Sequence, residues 1–174
     1  MTLYVGVDLG TNLAATAVDD DLACRWVYYR KRPSGESPTK ASAHLIHEVS
    51  EALDFPGNLT FCMEAVWLNR GQGDIDPRTL FPLAVQYGYI HCDADEWFCP
   101  VITVEDSAAM ARETGIRKDR REEIMPTLIS GIDWTPYLGP RGGREAIGHL
   151  ADSAFLAFVC HRQATWARKL EATG

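Results

Sequence analysis

The sequence predicts an α/β fold in which a mixed sheet of five strands is flanked by helices. Three observations lead there. Three strand-length apolar runs follow one another near the N-terminus with short links; two more come later, each after a helix-length stretch; and a long segment with an apolar helical face comes last. No internal repeat, low-complexity tract or linker divides the chain, so one domain over residues 1–174 is expected.

Residues 3–8, LYVGVD, form an apolar run of strand length that ends at Asp8 and the turn pair Leu9–Gly10. LAATAV at 13–18 suits a second strand and CRWVYYR at 24–30 a third, with an aromatic face. Links this short point to an antiparallel meander. RKRPSGESPTK, 30–40, is a polar loop. A helix follows over about 40–53, where Ala43, Ile46, Val49 and Leu53 recur at near-helical spacing, and Pro56 and Gly57 stop it. LTFCME, 59–64, reads as a buried strand ending at Glu64. A loop rich in Gly, Asn and Asp fills 65–77, a helix is expected over 78–88 despite Pro82, and FCPVITV, 98–104, is the fifth strand. Glu105 to Arg112 and Arg117 to Ile129 read as helices and 131–143 as a Gly/Pro loop. The last helix runs from about Arg144 to Arg168, with Ile147, Leu150, Ala154, Phe155 and Phe158 on its apolar face.

Composition narrows the classes. With 46% hydrophobic residues the chain is too apolar for disorder, and no run approaches the ~20 residues that cross a bilayer. The N-terminus has no charged-then-apolar secretory pattern, so a cytoplasmic protein without membrane contact is expected. Cys24, Cys62, Cys92, Cys99 and Cys160 form no CxxC pair and read as reduced thiols. Cys92 and Cys99, beside His91 and Asp93, have a spacing that fits no common zinc site. A net charge of −7 runs against a nucleic-acid partner, but phosphate contacts depend on local patches, and a carboxylate site adds negative charge of its own.

Three acids stand where apolar elements end or pack. Asp8 closes the first strand, Glu64 closes the fourth, and Asp152 lies in the last helix within HLADSAFLAF. An acid at the edge of an apolar element costs free energy unless compensated, and a hard divalent cation compensates it with carboxylate and water ligands. If strands one and four are parallel neighbours, Asp8 and Glu64 emerge side by side. His149 precedes Asp152 by three residues and shares its helical face, where an imidazole can ligate a metal, place water or stabilise phosphate charge. Singly each has an ordinary reading, as a turn acid, a surface acid or an interfacial histidine. Their order, element type and spacing agree with one site.

These residues resemble the motifs of the RuvC family of Holliday junction resolvases, in the ribonuclease-H-like superfamily. VGVDLGTNLAATAV resembles its opening strand–turn–strand, FCMEAVW its second motif, and HLADSAFLA its final helix. LAVQYGYI and ITVEDSAAMARETGIRKDRREEI resemble its intervening segments, and the matched stretches cover a little over half of the chain. The resemblance implies a ribonuclease-H-like sheet with Asp8, Glu64, His149 and Asp152 as catalytic residues. It further implies Asp8, Glu64 and Asp152 as ligands of two Mg²⁺ about 4 Å apart, with Mn²⁺ substituting. The products would carry 5′-phosphates. It also implies a homodimer, whose two equivalent sites nick a four-way junction symmetrically. Leu80, Leu83, Val85 and Tyr87 are available as its helical interface.

Trp67 stands three residues after Glu64, where the family has an aromatic residue near the junction crossover; base stacking there contributes roughly 1–3 kcal/mol. Arg112, Arg117, Lys118, Arg120 and Arg121 cluster near the family's DNA-facing region, although interleaved acids leave a solvated, self-paired helix open as a reading. Arg30, Lys31 and Arg32 form a second basic cluster, and Arg141 and Arg144 flank the last helix. Arg117, Lys118, Arg121 and Arg144 are expected to bind DNA, with Lys118 nearest the site. The chain departs from the family in its acidity, in its 131–143 loop, and in Asp74 and Asp76 of the Glu64 loop. A flap- or fork-cutting nuclease remains open. VGVDLGT also resembles the phosphate-binding turn of actin-like ATPases, but the chain lacks a second glycine-rich phosphate turn. A non-catalytic DNA-binding relative would have no need of the carboxylate set.

Overall fold

The structure, a computed structural model, describes residues 1–53, 58–65, 76–104, 107–138 and 143–171. Its strands are β1 (Thr2–Asp8), β2 (Asn12–Val18), β3 (Cys24–Lys31), β4 (Asn58–Glu64) and β5 (Val101–Val104). They form one mixed sheet in the order β3-β2-β1-β4-β5. The first three are an antiparallel meander, and β4 and β5 add in parallel beside β1. Parallel neighbours need a crossover, and helix α1 (Pro38–Ala52) supplies the one from the meander to β4, while α2 (Pro77–Glu96) leads from β4 to β5. Helices α3 (Ser107–Thr114), α4 (Arg121–Leu128) and α5 (Gly143–Glu171) complete the chain.

Strand alternation divides the core in two. Leu3, Val5 and Val7 of β1 face α1 and α2, with Leu45, Val49 and Ile90 among their neighbours. Tyr4, with Val18 and Cys62 from the adjoining strands, faces Phe155, Leu156 and Val159 of α5 and Met125 of α4. Gly6 lets α5 lie against the sheet: a Cβ there would stand 2.1 Å from the Ser153 carbonyl oxygen and 2.2 Å from the Ala157 nitrogen. Beside it Thr16 Oγ1 and Ser153 Oγ share a buried hydrogen bond of 2.8 Å.

The element order agrees with the sequence reading, and of the boundaries that differ three have a local cause. Helix α2 continues past Gly88 to Glu96, because Ile90 and Ala94 bury against the core and offset the ~1 kcal/mol that Gly costs in a helix. Strand β5 begins at Val101, since Phe98 turns the chain at φ 57° before Pro100. The segment expected as one helix from Arg117 is a 3-10 turn at Lys118–Arg120 followed by α4. Among the described residues no helix is long and apolar enough to cross a membrane.

Candidate active site

The sheet pairing carries Val7 opposite Met63, so the next step places Asp8 beside Glu64 on parallel strands about 4.8 Å apart. Alternation sends Asp8 to the same face as Tyr4 and Gly6, and Glu64 to the same face as Cys62, which is the face α5 covers. His149 and Asp152 sit on α5 above that end of the sheet. His149 Nδ1 lies 2.6 Å from Asp8 Oδ2. Asp152 takes Arg121 at 2.9 Å on one oxygen and the Lys118 ammonium at 3.1 Å on the other.

The electrostatics follow from this crowding. Burial pushes the Asp8 carboxyl above its ordinary value and the charge of Asp152 adds to that, while His149 and Lys118 pull it back. The bond to Asp8 raises His149 against the opposing effect of burial. Burial works against the Lys118 ammonium, but Asp152 and then Asp8 outweigh it and its pKa is raised. Lys118 thus balances both aspartates. A cleft of about 270 Å³ opens here, lined by Lys118, Arg144, Glu145, Gly148, His149 and Asp152 among others.

Asp8, Glu64 and Asp152 bring carboxylate oxygens to one face and one end of the sheet, the donor type that a hard divalent cation prefers. In the arrangement described, His149 holds Asp8, and Lys118 and Arg121 hold Asp152; among the described residues no three His, Cys, Asp or Glu groups close on a common point.

Sequence reasoning missed part of the site. Asn12 is 4% exposed and donates from Nδ2 to Glu145 Oε1 at 2.8 Å; the same nitrogen lies 3.2 Å from His149 Nε2. Lys31 approaches Glu145 at 3.7 Å, and the Tyr29 ring stacks on His149. The i, i+4 spacing of Glu145 and His149 was a usable signal. Nothing in the sequence around Asn12 announces its role.

The expected DNA contacts divide. Lys118 and Arg144 line the cleft. Arg117 is exposed and paired with Asp119. Arg121 corrects the expectation of a DNA-facing side chain: it is 5% exposed, bonded to Asp152 and stacked over the Phe155 ring at 3.7 Å. Alternation also splits the second basic cluster, since Arg30 pairs with Glu36 on one side and Lys31 with Glu145 on the other. Asp76 caps α2 by accepting from the Arg78 N–H. Cys92 is exposed and Cys99 is buried in the core. Trp67, Asp74 and Arg141 lie outside the described residues.

No family model matches the chain, and no curated protein matches it. Among solved structures it is similar to Thermus thermophilus RuvC in complex with a Holliday junction substrate, at TM-score 0.65 and 18% identity, over 97% of this chain and 96% of that one. It is also similar to a second Thermus thermophilus RuvC structure, at TM-score 0.63 and 16% identity, with the same coverage. At such identity the likeness establishes the fold alone, a mixed five-stranded sheet flanked by helices as in those RuvC structures.

Proposed function

We propose that the protein is an endodeoxyribonuclease of one ribonuclease-H-like domain that resolves four-way DNA junctions by paired nicks. The observation that carries the reading is the placement of Asp8 and Glu64 at matched ends of parallel strands, beneath the α5 turn that bears His149 and Asp152. The structural neighbour bound to a Holliday junction points to the substrate.

Asp8, Glu64 and Asp152 would hold the divalent cations, Mg²⁺ with Mn²⁺ as substitute. When bound, such cations activate water and stabilise the leaving oxygen of a phosphodiester. The carboxylates set where the scissile phosphate sits, and His149 completes the active-site set through Asp8. Lys118 and Arg144, which line the cleft, would take the phosphate backbone, with exposed Arg117 as a further contact. Trp67 stacks on an unpaired base near the crossover. The products carry 5′-phosphate ends. A homodimer supplies the second, equivalent site, and the protein works in the cytoplasm on recombination or repair intermediates.

The test is nicking of a labelled mobile four-way junction beside matched duplex, flap and single strand, with Mg²⁺, Mn²⁺ or EDTA. Paired symmetric nicks abolished by EDTA are the expected result, and Asp8→Asn and Asp152→Asn should bind the junction without cutting it. Equal cutting of all branched forms would replace the resolvase by a broader flap or fork nuclease. No cutting with any metal would overturn the reading.

A further inference from the structure

The cleft is short of positive charge for a polyanion. Its lining holds the cations Lys118 and Arg144 against the carboxylates of Glu122, Glu145 and Asp152. Asp152 is engaged by Lys118 and Arg121, which leaves Glu122 and Glu145 as lining acids beyond that pairing. A phosphodiester backbone gains affinity from local cations, so a strand lying here needs one from outside the cleft itself.

Strand β3 supplies it. Tyr29 stacks on His149, with ring centroids 6.3 Å apart and planes 28° from parallel, so this face of β3 is turned toward the α5 turn that lines the cleft. Lys31 follows two residues later on the same face, opposite Asn12 of β2. Its ammonium stands 3.7 Å from Glu145 Oε2, with the lysine side chain 69% and the glutamate 53% exposed. An ion pair this long and this exposed contributes little, and the flexible four-carbon stem lets the ammonium reach another partner.

The two partners of Glu145 are unequal. Asn12 is 4% exposed and donates from Nδ2 to Oε1 at 2.8 Å. Reversing that amide would set its carbonyl oxygen against the carboxylate, and the orientation is kept although Asn12 Oδ1 is then buried with no partner among the described residues. Glu145 is therefore pinned through Oε1, while Oε2 faces a cation that can leave.

We propose that Lys31 is a further DNA-backbone contact, held beside the cleft by Glu145 and passed to a phosphate when DNA enters. The inference rests on the reading of the protein as a DNA nuclease, and it extends the binding surface from α5 to the edge strand of the sheet. The phosphate takes the ammonium, and the Asn12 amide keeps Glu145 in place. Glu145 thus competes with phosphate for Lys31, and its removal tightens binding through Lys31.

Junction binding, followed by fluorescence anisotropy against salt with EDTA present to prevent cutting, tests this. Lys31→Met should lower the slope of log K on log salt by about 0.9, and Lys31→Arg should keep it. Glu122→Gln removes a charge from the cleft without touching the Lys31 pair. Glu145→Gln removes the same charge, retains an oxygen for Asn12, and should tighten binding about two- to fivefold more than Glu122→Gln, the fold-change that release of an exposed ion pair supplies. With Lys31→Met also present, that excess should vanish. A slope unchanged by Lys31→Met, an equal drop in Lys40→Met on α1 across the sheet, or an excess that survives Lys31→Met would each overturn the proposal. A parent that binds no DNA overturns the nuclease reading and this inference together; a parent that binds, matched by Lys31→Met, overturns this inference alone. Should Glu145→Gln not fold, the slopes of Lys31→Met and Lys31→Arg decide it.

Discussion

Gly6→Ala tests the packing that brings the two halves of the site together. The added Cβ would meet the Ser153 carbonyl at 2.1 Å, the Ala157 nitrogen at 2.2 Å and the Leu156 carbonyl carbon at 2.9 Å, all of them helix backbone that no rotamer change can move. Restoring a separation of roughly 3.5 Å requires α5 to retreat from β1 by about 1.4 Å. That retreat breaks the buried bond between Thr16 and Ser153, worth about 1 kcal/mol, and opens a gap beside Tyr4 and Phe155. Overpacking of this kind costs about 1–3 kcal/mol by itself, so a total of about 2–4 kcal/mol is expected, which lowers Tm by roughly 4–16 °C in a chain of this size. The displacement also separates Asp152 and His149 from Asp8 and Glu64, and a misplacement of about 1 Å costs ~100-fold in nicking. Urea unfolding followed by tryptophan fluorescence gives the first number and junction nicking the second. Gly88→Ala is the control: its Cβ meets nothing within 4 Å inside α2, so it should stabilise by about 0.5–1 kcal/mol. A Gly6→Ala protein as stable as the parent would refute the packing of α5 on β1.

Three further outcomes are expected. Arg121→Ala leaves recessed Asp152 with Lys118 alone and removes a charge-assisted bond, which should cost about 1.5–3 kcal/mol in urea unfolding, whereas an effect below about 0.5 kcal/mol would place the guanidinium in solvent. In junction binding measured against salt, Arg144→Met and Lys118→Met should each reduce the slope of log K on log salt by about 0.9, and an unchanged slope would remove that residue from the phosphate contacts. Asp19 is 2% exposed, and burial alone would raise its pKa, but the Ala23 N–H, the Arg25 guanidinium and the Asp21 N–H hold it below the usual carboxylate value. A depressed pKa stabilises the fold above the unfolded value of about 3.9 and loses that contribution as pH falls through the folded value; Asp19→Asn should therefore cost about 2 kcal/mol at pH 7, and the difference from the parent should shrink below about pH 4. A constant difference across that range would contradict the assignment.

The strands and the acids at their ends were readable because both rest on local pattern. Asp8 and Glu64 each close an apolar run of strand length bounded by turn residues, and the i, i+3 spacing of His149 and Asp152 places them on one helical face whatever the tertiary fold. Arg121 was not readable, because four basic residues in five positions look alike in one dimension. The 3-10 turn at Lys118–Arg120 is what rotates Arg121 onto Phe155 and leaves Arg117 outside. Asn12 was not readable for a different reason: an amide takes its meaning from partners, and its partners are 133 and 137 residues away. The reach of α2 past Gly88 likewise depends on a core that only the folded sheet provides.

The bond between Asp8 and His149 joins positions 141 residues apart. On a ribosome adding about 5–20 residues per second, β1 waits roughly 7–30 s for its partner helix. During that interval the face of the sheet that α5 will cover, with Tyr4, Gly6 and Cys62, lies bare, and Asp8 and Glu64 have neither His149 nor Asp152 above them. The cutting chemistry proposed for the site is then absent from any nascent or prematurely ended chain that lacks α5. Synthesis through α5 is thus what would arm the proposed site, and a fragment that stops before that helix would lack the means to nick DNA.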